Sequence, residues 1–165
     1  MADSAPIDRY VGKFKFRVYF PSLSQSGGLK GSVNQAFVRV SGLATESEQM
    51  TYMQGTDNSV NTAPGRVKYN DVEFTRIYDG LDAFYAWRRM VERGLVFSNG
   101  DYRLDVAVEL LRRDESVARS MMLRGAWPAK WTMPDFDATS SDGAFESFTL
   151  SVSEIYEQDP EELDK

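Results

Sequence analysis

Cysteine and histidine are both absent from the 165-residue sequence. Without cysteine the chain can form neither disulfide bonds nor thiolate metal sites. Without histidine it lacks the commonest general base, the nucleophile–histidine dyads and the commonest metal ligand. These absences are consistent with a protein that is not an enzyme, and we expect no metal and no cofactor.

Long apolar segments and an excess of basic residues are missing as well. No window reaches 18 apolar residues free of charge, so the sequence predicts no membrane-spanning helix. The first eight residues have neither the basic nor the apolar region of a secretory signal peptide. The net charge of −6 argues against sequence-specific nucleic-acid binding and against docking on an anionic membrane. We expect synthesis in the cytoplasm without a signal peptide and no direct membrane anchoring.

Hydrophobic residues make up 42% of the chain and aromatic residues 13%, which is enough for a globular core. At this length we expect a single domain. Several segments alternate between apolar and polar side chains or have extended character, and this pattern predicts strands. These segments are Lys13–Phe20, Gln35–Ser41, Asp71–Tyr78, Tyr102–Leu110, Val117–Arg124 and Phe145–Tyr156.

One helix is predicted after the segment Asp79-Gly80-Leu81-Asp82, with Asp79 or Asp82 as its N-cap. Apolar residues recur at helical spacing as far as Val91, and Gly94 is placed to end the helix as its C′ residue. Together these elements predict a mainly β fold. We expect a β-sandwich or flattened β-barrel of six to seven strands with one packed α-helix.

The stretch from Glu46 to Gly65 is too polar to serve a core. Glu46–Gln54 has extended character but little apolar face, and a polar loop follows as far as Pro64-Gly65. Polar strands and loops of this kind usually contact another chain, so the stretch predicts an assembling subunit. A second loop, with two prolines and two tryptophans, is predicted over Ala126–Ser141.

Two carboxylate pairs leave a catalytic alternative open. Glu46 and Glu48 project from one face of a strand, and Asp135 and Asp137 have the same spacing. Such pairs serve acid–base catalysis only when burial raises one pKa, and a solvated face is the simpler interpretation. An exported effector or small hydrolase that uses these carboxylates is the alternative from another functional class.

Several motifs give the chain a resemblance to a known family. The strand Val38–Leu43 ends in Ser-Gly-Leu and is followed by Glu46-x-Glu48 and by Tyr52-Met53-Gln54-Gly55. Farther along come Phe84–Trp87 on the predicted helix and Arg124–Trp131, which contains Ala-Trp-Pro. In this order the motifs resemble those of the tail tube, or inner tube, proteins of contractile phage tails and contractile injection systems. The resemblance covers roughly residues 12–156.

The resemblance implies a structural subunit of an inner tube. Hexameric rings of the chain would stack into a hollow conduit for DNA or effector cargo, which sheath contraction drives through the target envelope. The implied partners are further copies of the chain, the sheath protein, and baseplate, tube-initiator and terminator proteins. The implied location is a virion tail or an injection particle. The implied tail-tube domain covers residues 12–156, and outside it we expect an N-terminal arm over residues 1–11 and, from its own composition, an acidic disordered tail over residues 157–165.

The resemblance also implies roles for individual residues. Contacts within or between rings are expected from Glu46, Glu48, Met50, Tyr52, Gln54, Asp57, Asn58, Asn61 and Pro64. Core or turn anchors are expected at Trp87, Trp127, Pro128 and Trp131. After its fourth strand the family often has a charged R-x-G or K-x-G segment, whereas this chain has Arg76-Ile77-Tyr78-Asp79-Gly80. The choice between phage tail and injection particle therefore stays open. A tube-initiator or baseplate-hub protein of the same fold is the alternative.

Overall fold

The computed structural model describes residues 12, 15–20, 37–53, 55, 59–78, 80, 83–96, 100–139 and 142–158. Across these residues the chain forms nine strands and one helix. In chain order they are β1 Phe16–Tyr19, β2 Phe37–Ser41, β3 Thr45–Met53, β4 Val60–Tyr69, β5 Val72–Ile77, α1 Ala83–Glu92, β6 Leu104–Leu111, β7 Val117–Thr132, β8 Phe145–Ser151 and β9 Glu154–Gln158.

Seven of the strands form one antiparallel network in the order β1-β6-β7-β8-β5-β2, and β9 also pairs with β7. The 16-residue strand β7 joins the two halves of this network. Its first part pairs with β6 and β9, and its last part, from Trp127 onward, pairs with β8. The two halves face each other across one core as a sandwich rather than a closed barrel. The predicted mainly β fold with one packed helix is confirmed.

The core lies between the two halves and is rich in aromatic rings. Alternate residues of the strands point inward, as the period of two predicts. Phe74 and Phe148 stack with ring centroids 5.2 Å apart, and Phe148 also stacks on Phe84 of α1 at 4.2 Å. Burial of each large apolar side chain contributes about 1.5–3 kcal/mol before the entropy cost of ordering it. The buried cluster comprises Val18, Phe20, Val72, Phe74, Phe84, Trp87, Leu104, Val106, Val108, Leu123, Ala126, Phe148, Leu150 and Ile155.

Helix α1 packs one face onto the sandwich and ends where the sequence predicts. Phe84 and Trp87, three residues apart, are its buried residues, and the indole nitrogen of Trp87 donates to the carbonyl of Tyr102 at 2.8 Å. Gly94 has φ +66°, its amide bonds to the carbonyl of Val91, and the next amide bonds back to Met90. This Schellman geometry confirms Gly94 as the C′ residue. The N-cap candidates Asp79 and Asp82 lie outside the described residues.

Both predicted loops contain strand. The polar loop expected to reach Pro64-Gly65 includes the start of β4, which runs from Val60 to Tyr69. The loop expected over Ala126–Ser141 begins with the last seven residues of β7, so Trp127 and Pro128 do not lie in a turn. In both cases the loop is predicted from a segment that contains proline. Each proline lies in a strand that has one partner strand at that point of the described chain, and proline is tolerated at such edge positions.

The final predicted strand, Phe145–Tyr156, is divided into β8 and β9. The interruption falls at Val152 and Ser153, where the Ser153 amide bonds to the carbonyl of Arg124 at 3.0 Å. Strand β9 continues to Gln158, two residues into the segment that was expected to be a disordered tail. The remaining residues of that segment, 159–165, lie outside the described residues, as do residues 1–11 of the expected arm.

Candidate assembly interface

Strands β3 and β4 form a separate two-stranded antiparallel sheet that extends from the sandwich. All nine residues of β3 are exposed. At the base of this hairpin Gly42 has φ +90°, and a Cβ on Gly42 would lie 2.3 Å from the carbonyl oxygen of Asp71. Only glycine fits this approach, so Gly42 fixes the point at which the hairpin leaves β2.

One face of the hairpin carries charge near the base and apolar side chains toward the tip. Residues two apart on β3 share a face, so Glu46, Glu48, Met50 and Tyr52 project together. Across the hairpin, Glu46 lies opposite Lys68. The side chains of Met50 and Tyr52 are 57% and 49% exposed. A contact with a partner would bury their apolar surface. This face has both charged and apolar groups available to a partner.

Where the paired strands end, at Met53 and Val60, the face opposite to that of Glu46 is apolar, and we call this pair the apolar tip. Met53 lies directly opposite Val60, and these side chains are 74% and 57% exposed. An isolated two-stranded hairpin is marginally stable in water because it has no second layer against which to bury such side chains. The exposed apolar side chains of Met50, Tyr52, Met53 and Val60 at this end of the hairpin are therefore candidates for a contact with another protein.

A bulge in β4 positions the charged part of the hairpin. The register shifts between Ser47 and Gln49, so Glu48 lies opposite the pair Gly65 and Arg66. A Cβ at Gly65 would lie 3.0 Å from the carbonyl oxygen of Glu48, which explains a glycine at this position. The bulge keeps Arg66 next to the acidic part of β3.

The structure places six of the nine residues with a predicted interface role on this hairpin. Glu46, Glu48, Met50 and Tyr52 lie in β3, while Asn61 and Pro64 lie in β4. Gln54, Asp57 and Asn58 lie outside the described residues. The sequence reasoning did not select Met53, Val60, Arg66, Val67 or Lys68. Alternating apolar and polar residues within 60–69 could have indicated a strand there, but Pro64-Gly65 interrupts the pattern.

The residues expected as anchors lie in or beside the core. Trp87 and Pro128 are fully buried. Trp131 is half-buried, with its ring 4.8 Å from that of Tyr85 and its indole nitrogen donating to Glu146. Trp127 is half-buried, and its ring packs edge-on against Tyr102 at 6.4 Å. These contacts hold α1 and the last part of β7 against the sandwich.

Neither carboxylate pair has the environment that acid–base catalysis requires. Glu46 and Glu48 are exposed. Asp135 and Asp137 lie beside an open cavity of about 660 Å³, and hydrogen bonds from the Thr139 hydroxyl and amide lower the pKa of Asp137. A general acid at neutral pH needs a raised pKa. Among the described residues, no group of three or more acidic side chains is arranged to hold a metal ion.

The only helix in the described part of the chain, α1, is too short and too polar to cross a bilayer.

Residues 12–156 match the model of the family described as T4-like virus tail tube protein gp19. No curated protein sequence matches the chain at a significant level. Among solved structures, a chain of the anti-feeding prophage tube-terminating cap is 23% identical with a TM-score of 0.73, over 96% of this chain and 97% of that one. A chain of an extracellular contractile injection system, the PVC sheath-tube complex in the extended state, is 20% identical with a TM-score of 0.71, over 92% and 93%.

Hcp1 from Flavobacterium johnsoniae is more distant, at 16% identity and a TM-score of 0.53, over 90% of this chain and 94% of that one. At these identities the solved structures establish a shared fold. The family model matches most of the chain, and the tail tube role of that family is the basis for the function of this chain. The chain belongs to the family of T4-like virus tail tube proteins, and it is a structural subunit of a contractile-tail inner tube.

Proposed function

We propose that this subunit forms hexameric rings, that the rings stack into a hollow tube, and that DNA or effector cargo passes through it. In this proposal a sheath surrounds the tube, a baseplate and initiator begin it, and a terminator ends it. The similar solved chains come from a sheath-tube complex, a sheath/tube terminator and a baseplate, which supports these partners. The complete assembly is a virion tail or an injection particle.

The observation that carries the proposal is the β3–β4 hairpin. It leaves the sandwich, exposes every residue of β3 and presents an apolar tip at Met53 and Val60. A monomer gains nothing from extending such a hairpin into water, whereas a neighbouring copy can cover the tip and the apolar side chains Met50 and Tyr52. The hairpin is the contact element of the tube.

The ends of the strand network support ring closure. Three strands at the ends of the network, β1, β2 and β9, each have one partner strand in the described part of the chain. Open edges are aggregation hazards unless they are paired or covered, and contacts between the copies of a closed ring can pair or cover them. Val38 on β2 is 50% exposed, which fits an edge that a second copy covers.

The role in this proposal is structural and not catalytic. The lowered pKa of Asp137 is opposite to the change that a carboxylic acid needs to donate a proton near neutral pH. A conduit needs no reacting group, only a defined bore and stable contacts between copies.

Electron microscopy of the purified protein tests the proposal, because rings or tubes of six-fold symmetry are expected. The double variant Met53→Ser/Val60→Ser removes the apolar tip and should prevent ring and tube formation while the subunit stays folded. Phe136→Ser is the matched control, since this side chain is 82% exposed and lies outside the hairpin. Normal tubes from the tip variant would show that the hairpin is not the contact element. Monomers alone from the wild type would refute the assembly itself.

A further inference from the structure

The charges of the hairpin are separated by strand. Strand β3 contains Glu46 and Glu48 and no basic residue, whereas β4 contains Arg66 and Lys68 and no acidic residue. None of these four side chains forms a hydrogen bond or an ion pair within the described part of the chain. The hairpin therefore has one acidic strand and one basic strand, and the charges of both are available to a partner.

The register places the opposite charges at matching positions along the hairpin. Glu46 lies opposite Lys68, and the bulge puts Glu48 opposite Gly65 and Arg66. By strand alternation Arg66 projects from the same side as Lys68. At two positions near the base of the hairpin, acidic side chains of β3 therefore lie opposite basic side chains of β4.

Both outer edges of the hairpin are open. In the described chain β3 pairs with β4 and β4 pairs with β3 alone, in antiparallel orientation. When copies are arranged side by side about a common axis, the outer edge of β4 in one copy faces the outer edge of β3 in the next. That junction is antiparallel, like the pairing within each hairpin.

We propose that neighbouring copies in a ring join their hairpins edge to edge, with Glu46 and Glu48 of one copy facing Lys68 and Arg66 of the next. Acidic and basic side chains then alternate around the ring at two levels, which we call the charge belts. The proposal rests on the ring assembly proposed above and specifies its lateral junction. The partner is a second copy of this chain.

The charge belts also set the direction of assembly. An acidic edge repels another acidic edge, and a basic edge repels another basic edge, so two copies cannot pair by equivalent strands without facing like charges. Head-to-tail pairing of β4 with β3 brings opposite charges together at every junction. Such a heterologous contact can close into a ring, whereas an equivalent-edge contact stops at a dimer.

Two charge-reversed proteins test the charge belts. Glu46→Lys/Glu48→Lys makes both strands of the hairpin basic, and Arg66→Glu/Lys68→Glu makes both strands acidic. Each protein alone should need roughly twofold to thirtyfold more protein than the wild type to form rings, as expected when two exposed ion pairs are lost at each junction. An equimolar mixture should restore assembly, because basic and acidic hairpins can alternate around a ring with an even number of subunits. Ring formation is measured by mass photometry and electron microscopy at low salt.

A matched control separates these charge effects from a change in overall charge. Glu73→Lys/Asp135→Lys alters the net charge by the same amount as the β3 reversal, at exposed positions outside the hairpin, and should assemble normally. Assembly of both reversed proteins at wild-type concentrations, or a mixture that assembles no better than its components, would overturn the charge belts. Failure of the wild type to form rings would instead count against the proposed function.

Cysteine cross-linking provides a second measurement that does not depend on charge. The chain has no cysteine of its own, so a single introduced cysteine reports one position. A mixture of Ser47→Cys and Val67→Cys proteins should form disulfide-linked pairs, because Ser47 and Val67 lie at one level of the hairpin and the proposed ring symmetry keeps that level equal in neighbouring copies. Neither variant alone should cross-link. Cross-links within the Ser47→Cys protein alone would show pairing by equivalent strands and refute the head-to-tail junction.

Discussion

Arg76 and Glu146 form an ion pair in the core, with side chains that are 0% and 1% exposed. The two guanidinium contacts to Glu146 are 2.7 and 2.8 Å long, and Glu146 also accepts a hydrogen bond from Trp131. The Arg76 guanidinium lies 4.9 Å from the ring centroid of Phe84. The pair thus links β5, β8, β7 and α1. We predict that its removal from one side severely destabilises the subunit.

The variant Arg76→Met leaves the Glu146 carboxylate buried without its cation. Breaking a buried pair in this way costs about 3–5 kcal/mol, because the remaining charge has lost both water and its partner. For a chain of this size, that loss lowers Tm by roughly 6–20 °C. The double variant Arg76→Met/Glu146→Leu removes both charges. It should be less damaging than the single variant and cost about 1–3 kcal/mol, mainly because the Trp131 indole loses its acceptor.

Urea unfolding monitored by tryptophan fluorescence measures these losses, at a protein concentration below that of ring formation so that assembly adds no stability. Arg119→Met is the matched control. Arg119 holds Glu157 through two contacts of 2.9 Å, but their side chains are 60% and 55% exposed, so its loss should change stability little. Equal unfolding midpoints for Arg76→Met and Arg119→Met would refute the reasoning, as would a double variant less stable than Arg76→Met.

Three further predictions concern single positions. Gly42→Ala should destabilise the subunit by about 1–3 kcal/mol in thermal unfolding, because φ is +90° and the Asp71 carbonyl blocks a Cβ, whereas Gly80→Ala, with φ +80° and open space, should cost less. Trp87→Phe should lower the free energy of unfolding in urea by about 1–3 kcal/mol, because the Tyr102 carbonyl loses its hydrogen-bond donor. Hydrogen bonds from Ser116 lower the pKa of Asp114 below its usual 3.8, so Ser116→Ala should raise that pKa in an NMR titration. The pKa of Asp114 is lower in the folded state than in the unfolded state. The ionised carboxylate therefore stabilises the folded protein above pH 3.8, and this contribution is lost as the pH falls through the folded-state pKa.

The sequence predicted those elements whose pattern is local and whose burial is one-sided. In strand β5 buried residues alternate with exposed or half-buried ones, and α1 carries its buried residues at helical spacing before a glycine stop. These signals depend on a few neighbouring residues and need no knowledge of the partner strand. The sandwich could therefore be predicted as a class, although the 16-residue strand β7 that joins its halves could not.

Strand pairing explains what the sequence reasoning missed. Pro64 and Pro128 are strong signals for a break, but each lies in a strand that has a single partner strand at that point, where proline is tolerated. Whether a proline faces an open edge depends on where distant strands end, and a linear sequence does not show this. The apolar pair of Met53 and Val60 was missed for the same reason, because their proximity requires the hairpin register.

The assignment of β4 as a loop also concealed half of the candidate interface. Glu46 and Glu48 could be selected as exposed acidic residues, but Arg66 and Lys68 acquire meaning only when they lie on a strand opposite them. With both strands in place, the polarity of the hairpin has a physical reason. A fully apolar hairpin with two open edges would associate with any similar edge, whereas one acidic and one basic edge accept each other only in one order. The charges near the base select the neighbour, and the apolar side chains toward the tip provide the area that the neighbour buries.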